Sequence, residues 1–265
     1  MSELIVRDGL VIVAERPVTV TRPPVLLVHG LFGAAWYFER YQHFLARRGH
    51  ASYAVNLRGH AGSRPVADLG RTSIVDYVAD AEEAMRAAAD DSAGALPIVI
   101  GHSMGGLIVQ KMLETVPAKA AVLLCSAPPR GIHVLGWQLM RKQMPYLGDI
   151  LRSRTMTPDT GVLMELMGSR FTDGERASIR DGFVPDSGLA GREMLLGSIT
   201  VDAARVKTPL LVIGAGRDRL VPPGVAAKIA RRYKAPLVMH EQMGHFLVME
   251  AGWEKVAEGI ADWIA

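Results

Sequence analysis

The chain has 265 residues, of which 49% are hydrophobic and 22% charged, and its formal net charge at neutral pH is +3. This apolar content is enough to bury one sizeable globular core, with or without a lid. The basic residues are spread along the chain rather than gathered in a block, so the charge does not indicate a nucleic-acid-binding surface. No run of about 18 apolar residues occurs, and charged residues interrupt the short apolar stretch at the start, so we expect neither a membrane span nor a signal peptide.

A single cysteine, Cys125, excludes an internal disulfide framework. A chain without disulfides fits a reducing compartment, and we therefore expect a cytoplasmic protein. The sequence leaves a homodimer open as its assembly state.

Apolar runs and amphipathic segments alternate along most of the chain. It opens as a β-hairpin, with Asp8-Gly9 as the turn between two β-branched runs. Helical periodicity is clear over residues 74–88 and again in the last helix, over 249–263. This alternation predicts repeated βαβ units and therefore an α/β fold, with a mostly parallel central sheet flanked by helices. The five apolar runs typical of strands buried on both faces of such a sheet are residues 23–30, 50–57, 95–101, 119–126 and 208–215.

Residues 127–206 break this rhythm, because they contain no convincing buried strand. A structureless loop of that length is improbable in a compact domain. We expect a helical cap at 127–206, inserted into a core domain formed by residues 1–126 and 207–265. Its helix-like pieces are residues 133–147, 159–171 and 187–199.

Ser103 lies in the stretch GHSMG, between a predicted strand and a strong helical pattern. Gly101 and Gly105 allow the chain to turn sharply and the strand and helix to approach each other. The serine hydroxyl is thereby expected at a helix N-terminus, where backbone N–H groups favour negative charge. The context indicates a nucleophile rather than a serine in an ordinary turn.

A serine nucleophile needs a base and a group that orients the base. Asp218 and His245 follow later strand ends, in the order serine, acid, histidine, and should meet Ser103 at the carboxyl edge of the sheet. Asp202 is a competing acid, but it precedes its strand and should lie at the opposite edge. Ser126 occupies the place where the other common arrangement needs an acid, and this favours Asp218.

The tetrahedral intermediate needs hydrogen-bond donors for its oxyanion. The N–H of Met104 directly follows the nucleophile, and the stretch HGLFG at 29–33 follows a predicted strand. We expect the N–H groups of Leu31 and Met104 to form the oxyanion hole, with the N–H of Phe32 as the alternative to that of Leu31.

Five motifs follow one another along the chain: His29-Gly30, NLRGHAGS at 56–63, GHSMGG at 101–106, GRDRLVPP at 216–223 and GHFLVME at 244–250. Their order resembles that of the α/β-hydrolase superfamily, in its capped branch of esterases, lipases and hydroxynitrile-lyase-like enzymes. The resemblance implies Ser103 as nucleophile, His245 as base and Asp218 as orienting acid. It further implies a cofactor-free and metal-free enzyme, and a loop at 58–60 with a structural role.

Several other classes of protein carry the same residues or similar patterns. Epoxide hydrolases and haloalkane dehalogenases need a carboxylate nucleophile, and Ser103 excludes them. A zinc helix needs histidines four residues apart, whereas His240 and His245 are five apart. Hydroxynitrile lyases usually carry a cap lysine, and Lys142 is expected to be solvated. Perhydrolase, haloperoxidase, lactonase and thioesterase activities stay open, as does a small-molecule receptor built on a hydrolase fold.

The cap is the segment expected to select the substrate. It is rich in methionine and aromatic residues, which are typical of core packing and of deformable apolar pockets. Phe32, Trp137 and Met140 are the candidates for contact with the substrate. We therefore expect a serine hydrolase that cleaves carboxylic esters of small or medium apolar substrates through an acyl-enzyme intermediate, with a small-molecule ester as its partner.

Overall fold

Eight strands form one sheet in the computed structural model, which describes residues 2–132, 144–167 and 171–265. The strands of this sheet are β1 (Ser2–Arg7), β2 (Leu10–Glu15), β3 (Arg22–Val28), β4 (His50–Val55), β5 (Ile98–His102), β6 (Ala121–Leu124), β9 (Leu210–Ala215) and β10 (Leu237–His240), and the short strands β7 (Thr155–Met156) and β8 (Asp186–Ser187) pair separately. Their order in the large sheet is β1-β2-β4-β3-β5-β6-β9-β10. The pairs β1/β2 and β2/β4 are antiparallel, and every other neighbouring pair is parallel.

Helices connect these strands. Those described are α1 (Glu39–Arg47), α2 (Ile74–Asp91), α3 (Met104–Met112), α4 (Met144–Arg152), α5 (Thr160–Met167), α6 (Asp173–Gly182), α7 (Gly188–Leu195), α8 (Pro223–Tyr233) and α9 (Trp253–Trp263). The predicted hairpin is confirmed, and Asp8 and Gly9 turn with φ of +47° and +77°. All five predicted apolar runs form strands.

The core lies on both faces of the sheet, because successive side chains of a strand point to opposite faces. In β3, Leu26 and Val28 join the apolar cluster that contains α2, α3 and α8. Val25 and Leu27 join the opposite cluster, which contains α1 and α9. Burial of alternate residues on two apolar faces explains why the central strands read as continuous hydrophobic runs.

The segment between β6 and β9, called the inserted segment below, contains helices α4 to α7. Its apolar side chains extend the cluster that contains α1 and α9. It also contains two features that the sequence analysis missed. Helix α6 has few apolar residues, and its start is marked instead by a capping box between Thr172 and Glu175. The ribbon of β7 and β8 pairs Met156 with Asp186 and is too short for a period-two pattern to reveal. The cap boundaries at 127 and 206 stay a prediction.

The longest described helix, α2, carries charged residues along its length. Within the three described stretches of chain, no helix combines the length and the apolar character needed to cross a bilayer.

Glycines allow the first turn of α3 to rest on the end of β3. A Cβ atom on Gly105 would lie 2.2 Å from the carbonyl oxygen of Val28, and a Cβ on Gly101 would lie 2.5 Å from the carbonyl oxygen of Gly105. Real Cβ atoms do not approach oxygen so closely, so any side chain here would separate the helix from the strand. This contact brings the turn at residue 103 against the loop that follows β3.

Gly105→Ala should therefore lower the free energy of unfolding by about 1–3 kcal/mol, the usual cost of overpacking a core. The matched control is Gly259→Ala, since Gly259 is exposed in the middle of α9 and has no heavy atom within 4 Å of its added Cβ. That change should leave stability unchanged or raise it by up to about 1 kcal/mol. Urea unfolding of both variants measures the difference, and equal stabilities would contradict the close contact.

Candidate active site

Ser103 occupies the turn between β5 and α3 in a strained backbone conformation, with φ +55° and ψ −117°. A non-glycine residue with positive φ costs roughly 1–3 kcal/mol and persists only when its surroundings hold it. Its N–H donates to the carbonyl of Leu124, and its own carbonyl accepts the N–H groups of Gly106 and Ala127. These backbone bonds from two neighbouring elements fix the serine in this conformation.

A continuous chain of hydrogen bonds joins Ser103, His245 and Asp218. The Ser103 Oγ lies 2.9 Å from His245 Nε2, and His245 Nδ1 lies 2.8 Å from Asp218 Oδ2. A carboxylate only accepts, so Nδ1 carries the proton and leaves Nε2 free to accept one from the serine. His245 and Asp218 are 1% and 7% exposed, so the hydrogen bond between them is almost shielded from water, whereas Ser103 is partly exposed.

The backbone that follows β9 holds Asp218 in place. Its second oxygen, Oδ1, accepts the N–H groups of Leu220 and Val221 at 2.8 and 2.7 Å. The buried thiol of Cys125, which has φ +42°, lies beside the same carboxylate. Burial and the neighbouring Asp218 charge raise the pKa of that thiol, so it stays protonated.

The loop that carries His245 is fixed from two sides. The buried Glu250 accepts the N–H of Gly244 at 2.6 Å. His102 Nε2 donates to the carbonyl of His245 at 2.9 Å. Burial lowers the pKa of His102 to about 3, so its ring is neutral at neutral pH.

The two competing residues are engaged elsewhere. Asp202 is exposed, and its Oδ1 accepts the N–H of Ala204. Ser126 is buried; its hydroxyl accepts a hydrogen bond from Gln110 Nε2 and donates one to the carbonyl of Ala127. Neither bonds to His245 in the described part of the chain.

The backbone of the 29–33 loop lies against Ser103. A Cβ on Gly30 would be 3.0 Å from the Cβ of Ser103. The Phe32 N–H donates to Asp186 Oδ2 at 2.8 Å, which removes it as a free donor. Among the described residues, the N–H groups of Leu31 and Met104 have no acceptor, which leaves them available to a ligand.

The residues predicted to contact the substrate are only partly described. Phe32 is 2% exposed, and its ring centroid lies 5.2 Å from that of Tyr146 in the inserted segment. Trp137, Met140 and Lys142 lie outside the described residues.

Among the described residues, Cys125, Asp218 and His245 have ligand atoms that lie within 4.8 Å of one another and could surround a metal ion. Both nitrogens of His245 and both oxygens of Asp218 already take part in hydrogen bonds. A metal ion would have to break the Ser103–His245–Asp218 chain, so this arrangement favours acid–base chemistry over metal binding.

Sequence analysis missed Asp186, a fully buried residue that contacts the 29–33 loop. Its sequence context, VPDSG, has only the composition of a turn before a helix. Its partner Phe32 is 154 positions away in the chain, and no local signal predicts this contact.

A model of the alpha/beta hydrolase family matches residues 25–259 of the chain. The chain belongs to the alpha/beta hydrolase family. The fold predicted from the motif order is thereby confirmed.

Relatives of this alpha/beta hydrolase cover nearly its whole length. It is 26% identical over 263 residues to a monoacylglycerol lipase of Mycolicibacterium smegmatis, and the aligned region covers 94% of this chain and 90% of the lipase. A carboxylesterase of Bacillus subtilis is 23% identical over 246 residues, with 91% of each chain covered. Among solved structures, an esterase from Exiguobacterium antarcticum has a TM-score of 0.77 at 18% identity, with 100% of this chain and 99% of that chain covered. This structural likeness shows the same fold.

Because His102 is buried and neutral, we expect this hydrolase to lose stability in acid. The unfolded chain binds a proton at His102 as the pH falls through about 6.5, whereas the folded protein does so only near the lowered pKa of about 3. Unfolding is therefore favoured below pH 6.5, by about 2 kcal/mol at pH 5 from this residue. In His102→Gln, the fall in unfolding free energy between pH 7.5 and 5 should be smaller by that amount.

Urea unfolding at the two pH values measures this difference. His43→Gln provides the control, because the His43 side chain is 48% exposed. An identical pH dependence in wild type and His102→Gln would mean that the folded protein accommodates a charged His102.

Proposed function

We propose that this protein is a serine hydrolase that cleaves carboxylic esters of small or medium apolar substrates through an acyl-enzyme intermediate. The observation that carries the proposal is the unbroken hydrogen-bond chain from Ser103 Oγ through His245 to Asp218. A serine hydroxyl is a weak nucleophile at neutral pH, and this arrangement supplies both the base that accepts its proton and the carboxylate that orients the base.

Acylation begins when Ser103 Oγ attacks the ester carbonyl carbon and its proton moves to His245 Nε2. The imidazolium that forms is stabilised by Asp218, whose orientation is fixed by the N–H groups of Leu220 and Val221. As the tetrahedral intermediate collapses, the bond to the alcohol oxygen breaks and His245 gives its proton to that oxygen. The alcohol leaves, and the acyl group stays on Ser103.

Deacylation repeats these steps with water as the nucleophile. His245 removes a proton from the water as its oxygen attacks the acyl carbon. The second tetrahedral intermediate then expels Ser103 Oγ, which regains its proton from His245, and the carboxylic acid is released.

Both intermediates place a negative charge on the former carbonyl oxygen. We assign its stabilisation to the N–H groups of Leu31 and Met104, which have no other acceptor among the described residues. Met104 is fully buried. Donors that are held in place in an apolar setting stabilise such a charge more than water does.

The apolar side chains around the 29–33 loop favour a substrate whose acyl or alcohol group is hydrophobic. Phe32 and Phe246 of the core domain share one apolar cluster with residues of the inserted segment. Those residues include Tyr146, Leu163, Met164, Phe171, Ile179 and Phe183. The similarity to a monoacylglycerol lipase and a carboxylesterase also favours an ester with an apolar acyl chain.

Ser103 should be the single position of covalent labelling. A fluorophosphonate should add one mass increment to the peptide that contains Ser103, and Ser103→Ala should abolish the label and lower kcat by about 10⁴-fold or more, because the nucleophile is lost. The activity measurement should use nitrophenyl esters from acetate to palmitate, a monoacylglycerol, a lactone and a thioester. Esters of two to about eight acyl carbons should react fastest.

Ser126→Ala is the matched control, since Ser126 is a buried serine just after the end of β6. This variant should keep both the label and the activity. An active Ser103→Ala enzyme, or a label on another residue, would show the mechanism to be wrong.

Asp218→Asn should lower kcat by about 10³- to 10⁴-fold while the protein stays folded. The N–H groups of Leu220 and Val221 should hold the amide oxygen, which turns the amide NH₂ towards His245 Nδ1. The ring then has to carry its proton on Nε2 and cannot accept one from Ser103. Asp202→Asn should retain wild-type kcat, and loss of activity in that variant instead would assign the orienting acid to Asp202.

A further inference from the structure

Asp186 is a fully buried carboxylate that reaches three separate parts of the core domain from the inserted segment. Its Oδ2 accepts the N–H of Phe32 at 2.8 Å, and its Oδ1 accepts the hydroxyl of Tyr77 at 2.9 Å. His60 Nε2 lies 3.1 Å from Oδ2, at an angle too oblique for a regular hydrogen bond. Burying a carboxylate is costly unless its partners compensate. Three hydrogen-bond donors, the third being the N–H of Ser187, and the adjacent His60 ring therefore point to a specific role.

His60 and Asp186 are both fully buried and lie next to each other. Burial alone would lower the pKa of His60, but the Asp186 charge and the carbonyl of Arg58 outweigh it and the net pKa is raised. Burial alone would raise the pKa of Asp186, but the His60 charge and the backbone donors outweigh it and the net pKa is lowered.

The inserted segment holds the Phe32 backbone by both of its polar groups. Phe32 has φ +61°, an unfavourable conformation for a non-glycine residue. Its N–H is bound by Asp186, and its carbonyl accepts the N–H of Val184 at 3.1 Å. On the preceding residue, the Leu31 carbonyl accepts the hydroxyl of Tyr37. The peptide between Leu31 and Phe32 is thus bound at its oxygen and at its nitrogen.

We propose that Asp186 is a positioning residue for the oxyanion hole: by binding the Phe32 N–H, it holds the preceding Leu31 N–H in the direction of the carbonyl oxygen attacked by Ser103. This inference rests on the proposed function. It gives the inserted segment a part in transition-state stabilisation, in addition to any part in binding the substrate. A shift of about 1 Å in such a donor is enough to reduce the rate by about 100-fold.

The test compares Asp186→Ala with Glu193→Ala. Glu193 is also a carboxylate of the inserted segment that accepts a core backbone N–H, that of Ile74 at 2.7 Å, but it ties the segment to the start of α2 instead of the 29–33 loop. Asp186→Ala should lower kcat by about 10- to 100-fold with KM changed less than about 3-fold. Glu193→Ala should keep the wild-type kcat, even where its melting temperature falls as much.

A second measurement separates positioning from general loosening. A trifluoromethyl ketone with the acyl chain of the best substrate forms a tetrahedral, negatively charged adduct with the serine and needs the oxyanion hole. Its inhibition constant should rise in Asp186→Ala by the factor by which kcat/KM falls. The corresponding ether, which has no carbonyl group, should bind equally well to wild type and variant.

Tyr77→Phe keeps the test decisive if Asp186→Ala does not fold. It removes one donor to the Asp186 carboxylate with almost no change of shape, and kcat and ketone affinity should fall together by about 2- to 5-fold. Wild-type kcat and ketone affinity in every folded variant of Asp186 and Tyr77 would overturn the positioning role. Ser103→Ala, measured in parallel, tests the proposed function separately, since its activity does not depend on whether Asp186 positions the loop.

Discussion

The first turn of α3 rests directly on the carbonyl groups that end β3, and the geometry of the site depends on this contact. Gly105 has no side chain to hold the two elements apart, and Gly30 lies against Ser103 for the same reason. The helix N-terminus, the serine and the loop after β3 consequently share one small volume at the carboxyl edge of the sheet. This edge is where open parallel sheets bind their ligands.

Three buried carboxylates hold the backbone around this edge, each by accepting N–H groups of a loop. Asp218 binds the chain that follows β9, Glu250 binds the residue before His245, and Asp186 binds the loop after β3. Charged hydrogen bonds of this kind are stronger than neutral ones, and they are least disturbed where water is excluded. These hydrogen bonds therefore fix the loops that contribute to the site.

The features that local sequence patterns encode could be predicted from the sequence. Apolar runs predicted the central strands, and the glycines around Ser103 predicted the sharp turn between β5 and α3. The order of Ser103, Asp218 and His245 relative to strand ends predicted that they would meet, because parallel strands end at one edge. Asp186 was not predictable in this way, since its partners Phe32 and Tyr77 are 154 and 109 residues away in the chain. Helix α6 was missed because its surface position requires few apolar residues, so its start is encoded only by polar capping residues.

Three non-glycine residues with positive φ lie around the site: Phe32, Ser103 and Cys125. Each stores conformational energy that a glycine at the same position would release. Phe32 and Cys125 are buried, so glycine at either position would also leave a cavity, whereas the Ser103 side chain is small and partly exposed. Selection for heat resistance alone would consequently favour glycine at position 103, and it would remove the nucleophile that we propose. The turn at Ser103 is thus a place in the backbone where thermal stability and turnover have opposite requirements.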